Sequence, residues 1–242
     1  QLGQAGGLRR LPLRRLMTER ARLASRKPRV RARRHVRMAE LTPEPEVLRV
    51  LEMVEGDGLV FAEQLAKCLK AKYQLHKRYL TATIFLPGSL KLDIATTRTE
   101  YYPHPAALPR VRKGTLKEDL FRRDFTINSL AIAFNGPDAP YLIDLFGGEK
   151  DMHEGTIKIL HHRSFIDDPS RMLRALRFEQ RFDFSLEKDT LNCFRKAIDE
   201  EYLAQLQGAR FFQELFLILN EKNPLKVIRR MAEFNLLRYI HT

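Results

Sequence analysis

The chain has 242 residues, 44% of them hydrophobic and 30% charged, which allows one or two domains with real cores and is an ordinary globular composition. No apolar run approaches the ~20 residues that a membrane-spanning helix requires, so that class is excluded. The formal net charge is +13, but residues 1–45 hold twelve Arg and one Lys against three Glu, a surplus of ten. A basic balance of this size normally signals nucleic acid, yet here it belongs mostly to the first 45 residues and says little about the rest.

Those 45 residues show no apolar periodicity. The stretch Arg26-Lys-Pro-Arg-Val-Arg-Ala-Arg-Arg-His-Val-Arg37 repels itself and reads as a disordered arm or as a mistranslated segment. It is Arg-rich and acid-poor like an organelle transit segment, but holds one Ser. Cys68 and Cys193 match no metal spacing and sit among apolar residues, so both are expected to be buried free thiols in a reducing, cytoplasmic setting. An organelle is the alternative if the arm is a transit segment.

Regular structure is expected from Pro45. Gly56-Asp57-Gly58 is a turn, followed by a helical pattern through Leu59, Phe61, Ala62, Leu65, Ala66 and Leu69. Two strand-like runs, Thr81–Leu86 and Leu90–Thr97, flank Pro87-Gly88-Ser89, a hairpin signal. In the second run Leu92, Ile94 and Thr96 take one face, leaving Lys91 and Asp93 on the other. A Pro-rich loop (Pro103, Pro105, Pro109) leads to a helix over 116–133, which carries Arg122, Arg123, Asp124 and Asn128. Asn135-Gly-Pro-Asp-Ala-Pro140 breaks that helix, and Tyr141–Leu145 is a strand. Gly147-Gly148 and a short helical turn precede a strand over Thr156–Leu160, and helices follow at 168–182, 187–199, 201–220 and 224–239. The order gives a head at 46–165 with a mixed sheet and helices, then an all-α region at 166–242.

The chemistry concentrates on two segments. On the helix opening Asp167-Asp-Pro-Ser-Arg171, the spacing puts Arg171, Arg174 and Arg177 within a third of the circumference, opposite Met172, Leu173 and Leu176. No acidic residue lies between Arg171 and Arg177, so this face is expected to present three guanidiniums. Guanidiniums donate to phosphates or to the acceptor edge of a base, and a carboxylate accepts from an exocyclic amino group. The pairing of Arg with Asp therefore suggests a nucleotide. Asp168 followed by Pro169 is equally a helix cap. Arg122, Arg123 and Asp124 are equally a surface ion-pair cluster with Glu118 and Asp119. Asp93 is either a magnesium ligand or a solvent-facing strand residue. Asp144, Gly147, Gly148 and Asp151 read as a structural turn, and His161-His162 as surface. No Walker loop, nucleophile elbow or dinucleotide fingerprint is present in the sequence.

Several ordered stretches then resemble one family. They are Val54-Glu-Gly-Asp-Gly58, Leu92-Asp-Ile-Ala-Thr-Thr-Arg-Thr-Glu100, Arg122-Arg-Asp-Phe-Thr-Ile-Asn128, Asp144-Leu-Phe-Gly-Gly-Glu-Lys-Asp151, Asp167-Asp-Pro-Ser-Arg-Met-Leu-Arg-Ala-Leu-Arg-Phe178 and Gly208-Ala-Arg-Phe-Phe-Gln-Glu-Leu215. From residue 54 onward the chain resembles the bacterial-type tRNA nucleotidyltransferases and poly(A) polymerases, which include the CCA-adding enzymes. The resemblance implies an α+β nucleotidyltransferase head and a helical neck and body. It also implies addition of CMP and AMP, or AMP alone, to a tRNA or other RNA 3′ end, with ATP and CTP as substrates and Mg2+ as cofactor.

By the same resemblance Arg123 and Asp124 contact the ribose and phosphates of the incoming nucleotide. Asp168 and Arg171 read C or A, and Arg174 and Arg177 support nucleotide binding. Asp167 stands where the family usually has Glu. A larger departure lies upstream: the family's metal-binding Asp-x-Asp strand precedes Val-Glu-Gly-Asp-Gly, and here those positions carry Arg49 and Leu51. No catalytic residue is therefore assigned, and a family member that binds RNA or nucleotide without catalysis is the alternative reading.

Overall fold

The computed structural model describes residues 49–54, 56–134, 140–206 and 208–240. The basic arm and the expected break at 135–139 lie outside them. The chain divides into two compact units between Arg122 and Arg123, so the expected head at 46–165 draws on both.

The first unit, described over 49–122, is built on a four-stranded sheet. Its strands are β1 (Arg49–Val54), β2 (Lys72–His76), β3 (Thr81–Phe85) and β4 (Lys91–Thr96), in the order β1-β4-β3-β2. β1 runs parallel to β4, and the other pairs are antiparallel, so the sheet is mixed. Helix α1 (Gly58–Cys68) begins at Asp57, whose side chain accepts from the backbone N–H groups of Leu59 and Val60. Its Ala62 and Ala66 bury against Ala82, Ile84 and Ile94, the inward members of alternating strand positions. Gly58 is required by contact: a Cβ there would come within 2.8 Å of both the Thr96 nitrogen and its hydroxyl. Leu92, Ile94 and Thr96 do face inward as the alternation predicts, leaving Asp93 on the opposite face.

Three expectations fail in this unit. Cys68, the last residue of α1, is exposed rather than buried. The Pro-rich loop holds a hairpin, β5 (Arg98–Tyr101) with β6 (Arg110–Lys113), whose charged strands carry no apolar alternation to announce them. The helix expected over 116–133 is three elements: α2 (Leu116–Phe121), a 3₁₀ turn (Thr126–Asn128) and the strand β7 (Leu130–Ala133). α2 carries a capping box, Thr115 with Glu118. It ends on ion pairs that Arg122 makes with Asp119 and with Glu100 of β5, both at 2.9 Å.

The second unit, described over 123–240, pairs β7 with β8 (Tyr141–Asp144) and then turns helical. Asp144 accepts from the backbone nitrogens of Phe146, Gly147, Gly148 and Glu149, opening α3 (Gly148–Glu154), so the Gly-Gly turn is structural as read. The next strand is only β9 (Thr156–Ile157), paired in parallel with β10 (Ser185–Leu186). The expected strand stops early because Ile159 bridges to Phe125 instead. The helices are α4 (Ser164–Asp167), α5 (Ser170–Phe182), α6 (Lys188–Asp199), α7 (Gly208–Leu219) and α8 (Pro224–Glu233), with 3₁₀ turns at Tyr202–Gln205 and Leu236–Ile240. α5 runs through the core: Met172, Leu173, Ala175 and Leu176 are fully buried with Phe165, Phe194, Ile218 and Met231. Cys193 is half-buried, as is His161. Among the described residues no helix is long and apolar enough to cross a membrane.

Candidate nucleotide-binding site

The start of α5 gathers most of the residues that the sequence singles out. Asp168 both caps and reaches further. Its Oδ1 accepts from the Ser170 nitrogen at 3.0 Å and the Ser170 hydroxyl at 2.5 Å, and forms an ion pair with Arg210 of α7 at 2.6 Å. The helix therefore begins at Ser170, two residues after the expected start at Asp168. Asp167 is held separately by Arg163 at 3.1 Å.

The arginine face differs from its expectation. Arg171 is 5% exposed and Arg177 7%, so two of the three guanidiniums lie inside the protein. Arg171 donates from Nη1 to the Ser164 hydroxyl at 2.8 Å. Arg174 donates through Nε and Nη2 to Asp124 Oδ2 at 2.8 and 2.5 Å, with Glu214 of α7 at 3.6 Å. Arg177 donates to Glu221 at 3.1 Å, and its guanidinium lies 4.6 Å from the Phe178 ring centre. The absence of nearby acids in sequence does not leave the face unneutralised, because Asp124, Glu214 and Glu221 arrive from other elements. A buried guanidinium without such partners would be costly.

Asp124 is 6% exposed, and all its accepting capacity is directed. Oδ1 takes the Phe125 nitrogen at 2.9 Å and the Asn128 side-chain amide at 3.0 Å, while Oδ2 takes Arg174. Burial pushes its carboxyl up, but Arg174 and the Asn128 hydrogen bond outweigh this and hold it below the usual carboxylate range. Burial likewise works against the Arg174 charge, and Asp124 and Glu214 reverse it. Glu214 goes the other way: its burial is only partly offset by Arg174 and Arg177, so its carboxyl is raised. Arg123 donates to the Asn128 carbonyl at 3.0 Å, bracing the 3₁₀ turn that presents Asp124. The ion-pair cluster reading gives Arg122 its partner Asp119, but Asp119 and Asp124 are both buried, so it is not a surface cluster.

Arg123, Asp124, Asp168, Arg171, Arg174 and Arg177 thus belong to one unit: Asp124, Arg174 and Arg177 are joined through Glu214 of α7, Asp168 pairs with Arg210 of the same helix, and Arg171 bonds Ser164. Arg210, Glu214, Glu221, Ser164 and Ser170 have no role in the sequence reading. The one trace of them is Arg210 and Glu214 standing four apart, a helical turn, inside the Gly208–Leu215 stretch.

Asp93 stands in the first unit, where the Thr83 hydroxyl donates to its Oδ1 at 2.6 Å. The backbone register sets Leu51 beside Asp93 and Arg49 beside Lys91. Among the described residues no group of three His, Cys, Asp or Glu could hold a metal ion. A divalent ion needs several oxygen ligands. The described residues here do not fit a two-carboxylate divalent site.

Known proteins match along this architecture. A family model described as the poly A polymerase head domain matches residues 52–158, and one described as a probable RNA and SrmB-binding site of polymerase A matches 183–241. The A-adding tRNA nucleotidyltransferase of Geobacter sulfurreducens is 47% identical over 188 residues, covering 78% of this chain and 21% of that protein. The CC-adding tRNA nucleotidyltransferase of Deinococcus radiodurans is 34% identical over 175 residues, covering 72% and 45%. The solved Thermotoga maritima CCA-adding enzyme, complexed with tRNA, superposes with a TM-score of 0.68 at 48% identity, over 77% of this chain and 42% of that one. The chain spans less than half the length of each.

Proposed function

The chain belongs to the bacterial class II family of tRNA nucleotidyltransferases and poly(A) polymerases, and we propose that it provides the head and neck of an enzyme that extends the 3′ end of tRNA with CMP and AMP, or with AMP alone. The RNA 3′ hydroxyl attacks the α-phosphorus of ATP or CTP, and pyrophosphate leaves. No nucleic-acid template is used, so protein side chains must choose the base.

The observation that carries this reading is the network at the start of α5. Asp168 and Arg171, one helical step apart, offer a carboxylate acceptor and a guanidinium donor. Cytosine and adenine each present an exocyclic amino donor beside a ring-nitrogen acceptor, and uracil and guanine present the reverse at those atoms. An aspartate and an arginine side by side match the first pair and oppose the second. Arg123 takes the ribose and phosphates, and Asp124, buried with both oxygens engaged, holds Arg174 beside it. Arg174 and Arg177, clamped by Asp124, Glu214 and Glu221, hold that geometry. Magnesium is the divalent ion this reading calls for. The free cysteines fit a cytoplasmic location.

The test is incorporation of label from ATP and CTP into tRNA lacking its 3′ terminus, with magnesium present. Incorporation supports the enzyme. Measurable ATP binding with no incorporation at any tRNA concentration would overturn it in favour of a non-catalytic nucleotide binder, a reading to which the matching enzymes lend nothing.

A further inference from the structure

Asp168 is held asymmetrically. All three of its side-chain hydrogen bonds and ion-pair contacts converge on Oδ1, from the Ser170 nitrogen, the Ser170 hydroxyl and Arg210. Among the described residues Oδ2 receives no donor, and the carboxylate is neither buried nor fully exposed. A carboxylate has two oxygens with roughly four acceptor sites, so saturating one oxygen leaves the other to accept in a single fixed direction. Ser170 lies on the same helix and can hold the side chain only locally. Arg210 comes from α7, across the helix pair, and restricts the carboxylate from outside its own element.

The same helix carries Glu214 one turn further on, and Glu214 faces Arg174 and Arg177. α7 therefore sets Arg210 against Asp168 and Glu214 against Arg174 and Arg177. Asp168 is thus the member of the proposed base-reading pair that α7 meets with an opposite charge, while Arg171 donates to Ser164.

We propose that Arg210 is a positioning residue for base selection, holding Asp168 so that Oδ2 alone is presented to the exocyclic amino group of the incoming nucleotide. This rests on the reading above in which Asp168 faces the base. Arg210 does not touch the nucleotide. Its effect is on discrimination between bases that carry an amino group and bases that carry a carbonyl at the same atom. With Asp168 fixed, a carbonyl oxygen opposite Oδ2 meets a lone pair and is rejected. With Arg210 removed, the carboxylate can turn and let water bridge the mismatch, so rejection weakens while stacking and phosphate contacts persist. Sites built to hydrogen-bond a donor reject analogues lacking it far more strongly than a shape difference does.

The experiment measures equilibrium binding of ATP, ITP, CTP and UTP to the full 242-residue chain and to its Arg210→Met, Arg210→Lys, Ser170→Ala and Asp168→Asn variants, each checked for native circular dichroism. ITP and UTP replace the amino group of ATP and CTP with a carbonyl. The proposal expects Arg210→Met to reduce the ATP/ITP and CTP/UTP preference about tenfold with ATP affinity changed less than threefold. Arg210→Lys should recover much of the preference, because an ammonium still donates to Oδ1. Ser170→Ala should shift it the same way by a smaller factor, and this variant carries the test if Arg210→Met fails to fold. Equal loss of all four nucleotides in Arg210→Met, or an unchanged preference in both Arg210→Met and Ser170→Ala while Asp168→Asn abolishes it, overturns the role of Arg210 and leaves the role of Asp168 standing. An unmodified chain that binds no nucleotide, or that does not distinguish ATP from ITP, overturns both.

Discussion

At the scale of the residue, Asp124 is the most constrained group in the second unit. It is a buried carboxylate satisfied on both oxygens, with its carboxyl held low by Arg174 and Asn128 against the cost of burial. A carboxylate with a lowered folded-state pKa contributes stability that is present above its unfolded value, here near 3.8, and is lost as pH falls through the folded value. Asp124→Asn keeps the shape but strands the Arg174 guanidinium. Removing one partner of a buried pair costs about 3–5 kcal/mol, and Glu214 takes up part of that loss. Urea denaturation at pH 7 should show a destabilisation of about 3 kcal/mol, and the gap between native and variant should narrow once the pH falls below 3.8. A gap that stays constant down to pH 2 would mean that the pair carries no pH-linked stability. Arg171 acts differently. Its replacement by Ala should lower nucleotide discrimination more than total RNA binding, measured as ATP/ITP preference beside tRNA affinity. Equal loss of both would remove Arg171 from base reading.

At the scale of the element, the helix expected over 116–133 divides into a helix, a 3₁₀ turn and a strand, and the cause is local. Leu116 to Phe121 has a capping box and good helix formers, so α2 was legible. The apolar spacing continues through Phe125 and Ile127, but those side chains enter the second unit's core from a turn, not from a helix. Apolar spacing alone cannot tell these apart. The turn is pinned by α3, where Gly148 approaches so closely that an added Cβ would sit 2.2 Å from the Thr126 carbonyl oxygen. Gly148→Ala should therefore force backbone movement and cost about 1–3 kcal/mol or more. An unchanged melting temperature would show that the contact yields. Thr115→Ala removes the hydroxyl that accepts from the Glu118 nitrogen, leaving the Thr115 backbone N–H donating to Glu118, and should cost about 1 kcal/mol, a milder loss on the same scale. The β5–β6 hairpin was invisible for another reason. Arg98, Arg110, Arg112 and Lys113 are charged strand residues; the Arg98 guanidinium pairs with Glu100, its backbone N–H donates to Asp119, and Lys113 pairs with Asp57, contacts that no periodicity records.

At the scale of the molecule, two units with separate cores divide the properties of the chain. The first has a small core of Ala62, Ala66, Ala82, Ile84 and Ile94, and the second a larger one led by Phe125, Phe165, Phe194, Leu173 and Leu176. The surplus of ten positive charges in residues 1–45 lies apart from both in sequence. If the arm adds RNA affinity, the native chain should lose tRNA binding steeply as salt rises, and a variant without residues 1–45 should show a much flatter dependence, because each phosphate contact removed lowers the slope by ~0.9. Identical slopes would place the RNA-binding charge in the folded residues.

By itself the sequence determined the class of fold, the helix and strand runs whose apolar periodicity was unbroken, the structural turn at Asp144 and the residues around which nucleotide chemistry gathers. These depend on local spacing and on short motifs, which a linear chain carries in full. Only the tertiary structure decided the charge state of the arginine face. Arg171, Arg174 and Arg177 look unneutralised along the chain, and they are met by Ser164, Asp124, Glu214 and Glu221 from three separate places. It likewise decided that Asp168 is bound through one oxygen by Arg210, forty-two positions away. Electrostatic partners in a low-dielectric interior are chosen by distance in space, and sequence separation carries no record of that distance.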